Sequence, residues 1–248
     1  MARVDEILGR ALAELPDKPS DESKSSDKKA YSEQVSAVVA RAFAEELRER
    51  GMPGALPGPK VEPGSGKKAG AERRMAGGIG AKKVDVTWAT EESGLILSIS
   101  VKTINFCDKK SGNFQKNLTN RRGDMLIEAV TLHRRFPYAV ITGVFFFDKG
   151  ASEDATERRR STFINANYRF QLFSGRDDPT DRDEQFERMY LVLLDSSQTP
   201  PTAEFFRVGK EPEPVQLEEV FSDFADLVAS RNPDFYESLH GEIRRSPG

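Results

Sequence analysis

The chain has 248 residues, of which 31% are charged and 37% are hydrophobic, and its formal net charge is −3. This length is sufficient for one domain, or two small ones, with a buried core. No stretch approaches the roughly 18 consecutive apolar residues that a membrane helix needs, and the charged N-terminus does not resemble a secretory signal. One cysteine, Cys107, and two histidines exclude a disulfide framework, a thiolate zinc cluster and a multi-histidine metal site. Any bound metal is therefore expected to be a hard cation with oxygen ligands.

The charge is unevenly distributed along the chain. Residues 60–122 carry 13 Lys and Arg against 6 Asp and Glu, a local charge of +7 that leaves −10 for the rest. A basic segment inside an acidic protein indicates a surface that binds a polyanion.

Two helices are predicted in the N-terminal part of the chain. The first spans residues 3–15 and is followed by residues 16–29, whose only apolar side chains are prolines and which we expect to be disordered. Apolar residues recur at helical spacing from residue 32 to residue 50, and Gly51 ends this second helix. Six Gly and four Pro among residues 51–70 predict a flexible loop, which we extend to residue 80.

The rest of the chain is predicted to alternate between strands and helices. Residues 83–89 and 95–106 are rich in β-branched residues and form a hairpin around a glycine-containing turn. The elements that follow are a helix over 117–136, a buried central strand over 138–147, a helix over 152–173, strands over 188–195 and 203–208, and a helix over 217–230. This order predicts an α/β fold with a mixed central β-sheet flanked by helices. We therefore expect an N-terminal helix and linker, residues 1–30, followed by a single domain, residues 31–248.

Two charged residues interrupt the apolar strands of the predicted hairpin. Asp85 lies between two valines, and Lys102 shares one face of its strand with Ser100. Burial of either charge costs on the order of several kcal/mol unless the charge meets a partner. The pair therefore indicates either a shared site at the edge of the sheet or a cross-strand salt bridge.

A third charged residue, Glu46, lies close to the centre of the apolar face of the second helix. It follows Phe43 by three positions and Ala42 by four, which places all three on one face. An acid on a buried face requires a cation or a functional site. The alternative is that Glu46, near the end of the helix, turns towards solvent.

Together these elements resemble the PD-(D/E)XK, or restriction-endonuclease-like, nuclease superfamily. The resemblance covers roughly residues 32–147: a helix with an inward Glu, a hairpin that carries Asp85 and then Ser100-Val101-Lys102, a second helix and an apolar strand. It implies a restriction-endonuclease-like core. It also implies that Asp85, Glu46 and the Val101 carbonyl hold Mg²⁺, and that Lys102 orients or activates the attacking water.

This sequence departs from the family pattern at Ser100, where an Asp or Glu is usual. The resemblance implies that a neighbouring helix supplies the missing acid, as in a subset of restriction enzymes. Glu46 is the first choice for this acid, and Glu128 and Asp124 on the predicted 117–136 helix are the alternatives. If no acid reaches the site, metal affinity falls.

Basic and amide side chains near the predicted site are candidate DNA contacts. They are Lys83, Lys109, Lys110, Asn113, Lys116, Asn117, Asn120, Arg121 and Arg122. Such side chains bind phosphates or read base edges, and Arg121 and Arg122 fall near a helix N-terminus that favours phosphate. A solvated basic loop is the alternative interpretation of this segment.

By resemblance, the sequence predicts a cytoplasmic, Mg²⁺-dependent endonuclease of restriction or phage-defence type. Its substrate would be double-stranded DNA, and a homodimer is expected because a double-strand cut requires two sites. A cognate methyltransferase or a defence-complex protein is a further expected partner. Two alternatives remain: a degenerate member that binds DNA or scaffolds a complex without cutting, and an unrelated α/β module in which Asp85 and Lys102 only pair structurally.

Overall fold

A six-stranded mixed sheet forms the centre of the fold. The computed structural model describes residues 2–59, 73–116 and 118–247. The strands are β1 (Arg73–Ala76), β2 (Ala81–Val84), β3 (Val86–Thr90), β4 (Gly94–Ile104), β5 (Val140–Asp148), β6 (Arg188–Asp195), β7 (Thr202–Arg207), β8 (Pro214–Val215), β9 (Tyr236–Leu239) and β10 (Glu242–Arg245). The central sheet has the strand order β3-β4-β5-β6-β7-β8, and β1–β2 and β9–β10 are separate two-stranded hairpins.

Helices cover both faces of this sheet. They are α1 (Arg3–Leu12), α2 (Ser25–Glu49), α3 (Leu118–His133), α4 (Gly150–Glu153), α5 (Thr162–Phe170) and α6 (Leu217–Arg231). The prediction of an α/β fold with a mixed central sheet flanked by helices is therefore confirmed. Among the described residues, no helix combines the length and the apolar character that crossing a bilayer demands.

The strand directions explain why β5 reads as a continuous apolar run. Strands β4, β5 and β6 run parallel, whereas β3, β7 and β8 are antiparallel to their neighbours. Strand β5 lies inside the sheet, and its residues are buried from Val140 to Phe147. Central parallel strands covered on both faces are typically apolar throughout.

Alternation along β4 assigns its side chains to two different hydrophobic clusters. Leu97, Ile99 and Val101 pack in a cluster with residues of α1, α2 and α6. Successive side chains of a strand point to opposite faces, so Ser100 and Lys102 lie on the other face, where α3 packs. This separation decides which helix can contribute to a site at Lys102.

Several predicted elements differ from the structure. Simple alternation along β4 would put Leu95 on the same face as Leu97, but a shift in the β3–β4 register places it in the cluster on the α3 side. The predicted helix over 152–173 is wrong, because the chain forms α4 and α5 with a loop between them. In this loop the Asp154 carboxylate accepts hydrogen bonds from the backbone amides of Phe114 and Thr162, at 3.1 Å and 2.6 Å. These bonds compete with continuous helix formation.

The N-terminal segments also differ in detail. Helix α2 begins at Ser25, inside the predicted linker, and Lys18 pairs with Asp148 at the end of β5 at 2.7 Å. Strands β1, β8, β9 and β10 were not predicted, and the predicted strand 83–89 is divided between the end of β2 and β3. Part of the predicted 51–80 loop, residues 60–72, lies outside the described residues.

A buried ionic network joins the start of β6 to the helices. The Glu187 carboxylate is fully buried and pairs with Arg176 at 2.9 Å, Arg231 at 3.4 Å and His133 at 3.2 Å. It also accepts the backbone N–H of Ile141 at 2.8 Å. Burial opposes its ionisation, but the bonds from His133, Ile141 and Arg176 together hold the pKa of Glu187 below its ordinary value.

Replacing Glu187 by Gln should destabilise the fold. The variant leaves two buried arginines without their shared carboxylate, which costs about 3 kcal/mol at pH 7. Because the folded pKa of Glu187 is depressed, its contribution is present above the unfolded value of 4.5 and is lost as the pH falls below it. Urea unfolding at pH 7 and pH 3.5 should therefore show a large difference from wild type at pH 7 and a smaller one at pH 3.5. Glu242→Gln, in an exposed pair, is the control, and a fully stable Glu187→Gln protein at pH 7 would contradict the prediction.

Candidate active site at the β3–β4 edge

Three of the predicted site residues meet at the edge of the sheet between β2 and β4. The Lys102 Nζ lies 3.2 Å from Asp85 Oδ2 and 2.9 Å from the Ser100 Oγ. The same nitrogen lies 3.5 Å from the Val101 carbonyl oxygen. The convergence of Asp85, Ser100 and Lys102 that the sequence predicted is therefore present in the structure.

A break in the edge strand brings Asp85 to this position. Strand β2 ends at Val84 and pairs with β1, whereas β3 starts at Val86 and pairs with β4. At the break the Asp85 carboxylate takes the place of a strand partner and accepts the backbone N–H of Val101 at 2.7 Å. The N–H and C=O of one strand residue point towards the same neighbour, so the Val101 carbonyl also faces this gap.

The fourth member of the cluster is Glu128 of α3. Its Oε2 lies 3.6 Å from the Lys102 Nζ, and its side chain is only 6% exposed. Burial raises the pKa of Glu128 to about 6, and the nearby Asp85 carboxylate adds to this effect, while Lys102, the Ser100 hydroxyl and Lys82 oppose it. The other carboxylate oxygen, Oε1, is buried and has no hydrogen-bond partner among the described residues. Glu128 is therefore a buried acid at the site with one oxygen unpaired in that part of the chain.

Lys102 remains a cation in these surroundings. Burial by itself lowers the pKa of Lys102, but the carboxylates of Glu128 and Asp85 outweigh burial, so its pKa is raised above the ordinary value. The side chain is 16% exposed, so Lys102 is only partly shielded from solvent.

Glu46 does not belong to this cluster, and its place as the first-choice acid is corrected. It is fully buried, as predicted, but its carboxylate pairs with Arg3 at 2.9 Å and with Arg50 at 2.6 Å. The physical reason is strand alternation, since α2 packs on the sheet face opposite to Ser100 and Lys102. Of the two alternatives, Glu128 reaches Lys102, whereas Asp124 is exposed.

Sequence reasoning could have ranked Glu128 first. Glu128 follows Met125 by three positions and precedes Ala129 and Leu132, all of them buried on the face of α3 that packs on the sheet. Glu46 was selected because an acid on a buried helix face requires a cation or a functional site. The same argument applies equally to Glu128. The choice between them depends on the strand face on which each helix packs, which the sequence leaves open. Lys82, whose charge also acts on Glu128, was not predicted as a site residue.

The candidate DNA-contacting residues have different environments in the structure. Lys83, Lys110, Asn120 and Arg121 are exposed, and the charge of Arg121 acts on Lys102. Lys109 pairs with Glu22 and Lys116 with Asp108, while Asn113 donates to the Ser111 carbonyl. Arg122 stacks on the Phe173 ring at 5.7 Å. Asn117 lies outside the described residues.

A second charged region lies at the carboxyl ends of β5 and β6, beside a cavity of about 500 Å³. Its charges are already paired, Lys18 with Asp148 at 2.7 Å and Lys149 with Asp195 at 2.9 Å. Hydrogen bonds from the Ser197 hydroxyl and from Lys149 lower the pKa of Asp195 from its ordinary value of 3.8 to about 2. This region therefore lacks the unsatisfied buried acid that distinguishes Glu128.

Comparison with known proteins adds no homologue: no family model matches the chain, and no curated protein or solved structure is significantly similar to it. Within the described residues, no three His, Cys, Asp or Glu side chains are grouped so that they could hold a metal ion. The carboxylates at the β3–β4 edge that could hold a metal are those of Asp85 and Glu128.

The Glu128→Gln variant should gain stability relative to wild type as the pH rises. The carboxyl ionises near pH 4.5 in the unfolded chain and near pH 6 in the folded protein, so the folded state holds the proton more tightly. This contribution is full below pH 4.5 and is lost as the pH rises through 6, whereas glutamine does not titrate. The difference in unfolding free energy should move by about 2 kcal/mol in favour of the variant between pH 4.5 and pH 7. Urea unfolding measures it, with the exposed Asp124→Asn on the same helix as control; a difference that is equal at both pH values would refute the assigned environment.

Proposed function

We propose that this protein is a Mg²⁺-dependent DNA endonuclease with a restriction-endonuclease-like core, of restriction or phage-defence type, acting in the cytoplasm. The observation that supports it most directly is the cluster of Asp85, Ser100, Lys102 and Glu128, in which a buried carboxylate oxygen of Glu128 has no partner within the part of the chain that the structure describes. The arrangement supplies oxygen ligands and a cation at one edge of the sheet, which phosphodiester hydrolysis requires.

The donor set fits a hard divalent cation. Asp85 and Glu128 provide one carboxylate each, and the Val101 carbonyl faces the same gap. Mg²⁺ is commonly held by one or two carboxylates and keeps several waters. When bound, it would lower the pKa of a coordinated water and neutralise charge on the phosphate. Glu128 replaces Glu46 in this proposal.

The protein's own residues have separate roles in this site. The hydrogen bond from the Val101 amide fixes the Asp85 carboxylate, so Asp85 would set the position of the metal relative to its other ligands. Lys102 holds its ammonium beside Asp85 and Ser100, where it can position a water and stabilise negative charge on the phosphate. The Ser100 hydroxyl, fully buried, contacts Lys102 in the position where an acid is usual in the family.

An exposed cation beside the site suits a polyanionic substrate. Arg121 lies in the first turn of α3, its charge acts on Lys102, and it is able to contact a DNA phosphate. Cleavage of both strands of a duplex requires two sites, so a homodimer belongs to the proposal. A cognate methyltransferase or a defence-complex protein is the proposed partner.

One observation favours a second candidate function, a DNA-binding protein that does not cut. The Lys102 Nζ lies within 3.6 Å of oxygens from all four of Asp85, Ser100, Val101 and Glu128. A lysine ammonium can thus serve as the cation of the cluster, and the third acid of the family is absent at Ser100. The two candidates differ in whether Mg²⁺ produces cleavage.

Incubation of the protein with supercoiled plasmid tests the nuclease. Cleavage should occur with Mg²⁺ and cease with EDTA, and Lys102→Ala should lower the rate by at least about 100-fold because charge on the phosphate is no longer stabilised. Lys149→Ala is the matched control, since Lys149 is an exposed lysine that also pairs with one aspartate, away from the site. A Lys102→Ala protein as active as wild type would remove the assignment, and wild type that binds but never cuts would establish the second candidate.

A metal titration tests whether Glu128 or Glu46 binds the metal. Glu128→Gln should weaken Mn²⁺ binding, measured by calorimetry, by about 10-fold or more, because one of two carboxylate ligands is lost. Glu46→Gln should leave the affinity unchanged, although it costs about 3 kcal/mol of stability because the buried carboxylate that pairs with Arg3 and Arg50 is lost. If the Glu46 variant loses the metal and the Glu128 variant retains it, the proposed ligand set is wrong.

A further inference from the structure

Exposed arginines lie on the loop between α4 and α5 and on α5 itself. Residues 157–169 contain four arginines and a single acid, Glu157. Three of the four arginines are exposed, Arg158, Arg160 and Arg169. Within the part of the chain that the structure describes, none of these three forms an ion pair. Exposed cations without acidic partners are typical of a surface that binds a polyanion.

Hydrogen bonds within the loop hold Arg158 at its tip. The backbones of Thr156 and Arg159 exchange two hydrogen bonds, at 2.8 Å and 3.1 Å, so Glu157 and Arg158 form a two-residue turn between them. The Arg159 side chain turns back towards the protein and pairs with Asp154 at 3.6 Å. Arg159 thus closes the loop, and Arg158 is presented to solvent.

Asp154 is the acid that would otherwise neutralise Arg158. In a continuous helix these two residues would be four positions apart and able to pair. The Asp154 carboxylate is instead only 5% exposed, and it accepts the backbone amides of Phe114 and Thr162 at 3.1 Å and 2.6 Å. The bonds that fix the loop therefore leave Arg158 without this acid.

Arg160 is held against an exposed aromatic ring. Its guanidinium lies 4.9 Å from the centre of the Tyr168 ring, and Tyr168 is 56% exposed. The Asn165 side chain donates to the Arg160 carbonyl at 3.2 Å, which fixes the backbone at this position. Stacking uses the face of a guanidinium, so the N–H groups at its edge remain able to bind phosphate oxygens in a bidentate manner.

The loop lies at the same end of the sheet as the candidate site. Strands β4 and β5 run parallel, Lys102 is two residues before the end of β4, and the loop follows the end of β5. The bond between Asp154 and the Phe114 amide also attaches the loop to the segment that connects β4 to α3, the helix that carries Glu128. The exposed arginines are therefore fixed to the elements that carry Lys102 and Glu128.

We infer that the α4–α5 loop is a contact surface for duplex DNA, in which Arg158 and Arg160 bind backbone phosphates outside the cleavage site. The inference rests on the proposed function for its choice of polyanion. Contacts to phosphates set affinity, orientation and salt dependence, and they carry no sequence information. Because the loop is attached to the segment between β4 and α3, it holds the bound backbone in a fixed position relative to Lys102.

Anisotropy titration of a fluorescent duplex of about 20 base pairs in EDTA measures this binding without cleavage. The Arg158→Ala/Arg160→Ala protein should bind about 10-fold more weakly at moderate salt, equally for unrelated sequences. The slope of log affinity against log salt should fall by about 1 for each arginine. Arg158→Glu, a single change in the exposed turn, should weaken binding in the same direction. Thermal unfolding verifies that each variant is folded.

The matched control is Arg134→Ala/Arg135→Ala, which removes two adjacent exposed arginines that precede the amino end of β5. Arg135, like Arg160, stacks on an aromatic ring, that of Phe136 at 5.7 Å. This control should bind as wild type does.

Three results would overturn the inference: a loop variant with wild-type affinity and slope, a control that loses as much affinity as the loop variant, or a wild-type protein that binds no duplex. Cleavage is assayed separately with Mg²⁺. A protein that binds through the loop and does not cut therefore fails only the nuclease proposal, and one that cuts while the loop variant binds normally fails only this inference.

Discussion

The hydrogen bond from the Val101 amide to the Asp85 carboxylate is the contact on which the candidate site depends. It occurs where the edge strand leaves the sheet, so a side chain satisfies a backbone donor that a neighbouring strand would otherwise bond. The bond fixes Asp85 beside Lys102 and leaves the Val101 carbonyl directed at the same gap. One local break in pairing thus brings the Asp85 carboxylate and the Val101 carbonyl together beside Lys102.

Three glutamates, Glu46, Glu128 and Glu187, are buried, and they differ in the partners that satisfy their charge. Glu46 and Glu187 each meet buried arginine, and these pairs join helices to the rest of the fold. Glu128 lies 3.6 Å from Lys102, and among the residues that the structure describes it forms no ion pair with an arginine and its Oε1 has no partner. A buried carboxylate with incomplete pairing is costly. Its presence in a fold that elsewhere satisfies buried acids with arginine is the physical reason to assign function to Glu128.

The sequence predicted the sheet and its long elements because their patterns are periodic and local. Strand β6 was predicted with the observed bounds, and the β3–β4 hairpin and the buried β5 were predicted with small differences. The loop between α4 and α5 was missed because it depends on Asp154, which binds amides of two distant segments. Hairpins β1–β2 and β9–β10 were missed because short strands carry little periodic signal.

The candidate site was predictable only in part, for a similar reason. Asp85, Ser100 and Lys102 lie close along one hairpin, so strand alternation was enough to bring them together. The choice of helical acid required knowledge of which sheet face each helix covers, and this follows from the packing of α2 against Leu97, Ile99 and Val101. A periodic pattern shows that Glu46 and Glu128 point inward, but not what they face.

The tip of the β1–β2 hairpin lies against α3, where the Gly78 N–H donates to the Thr131 carbonyl at 2.8 Å. This contact has a consequence for how sequence variation in this protein should be interpreted. Gly77 and Gly78 accept no side chain because α3 occupies the space that even an alanine methyl group would need. A saturation mutagenesis survey would therefore rank these two positions among the least tolerant in the chain, although neither carries a functional group. Intolerance to substitution at this turn would report steric exclusion by a helix, and it should not be taken as evidence of chemistry there.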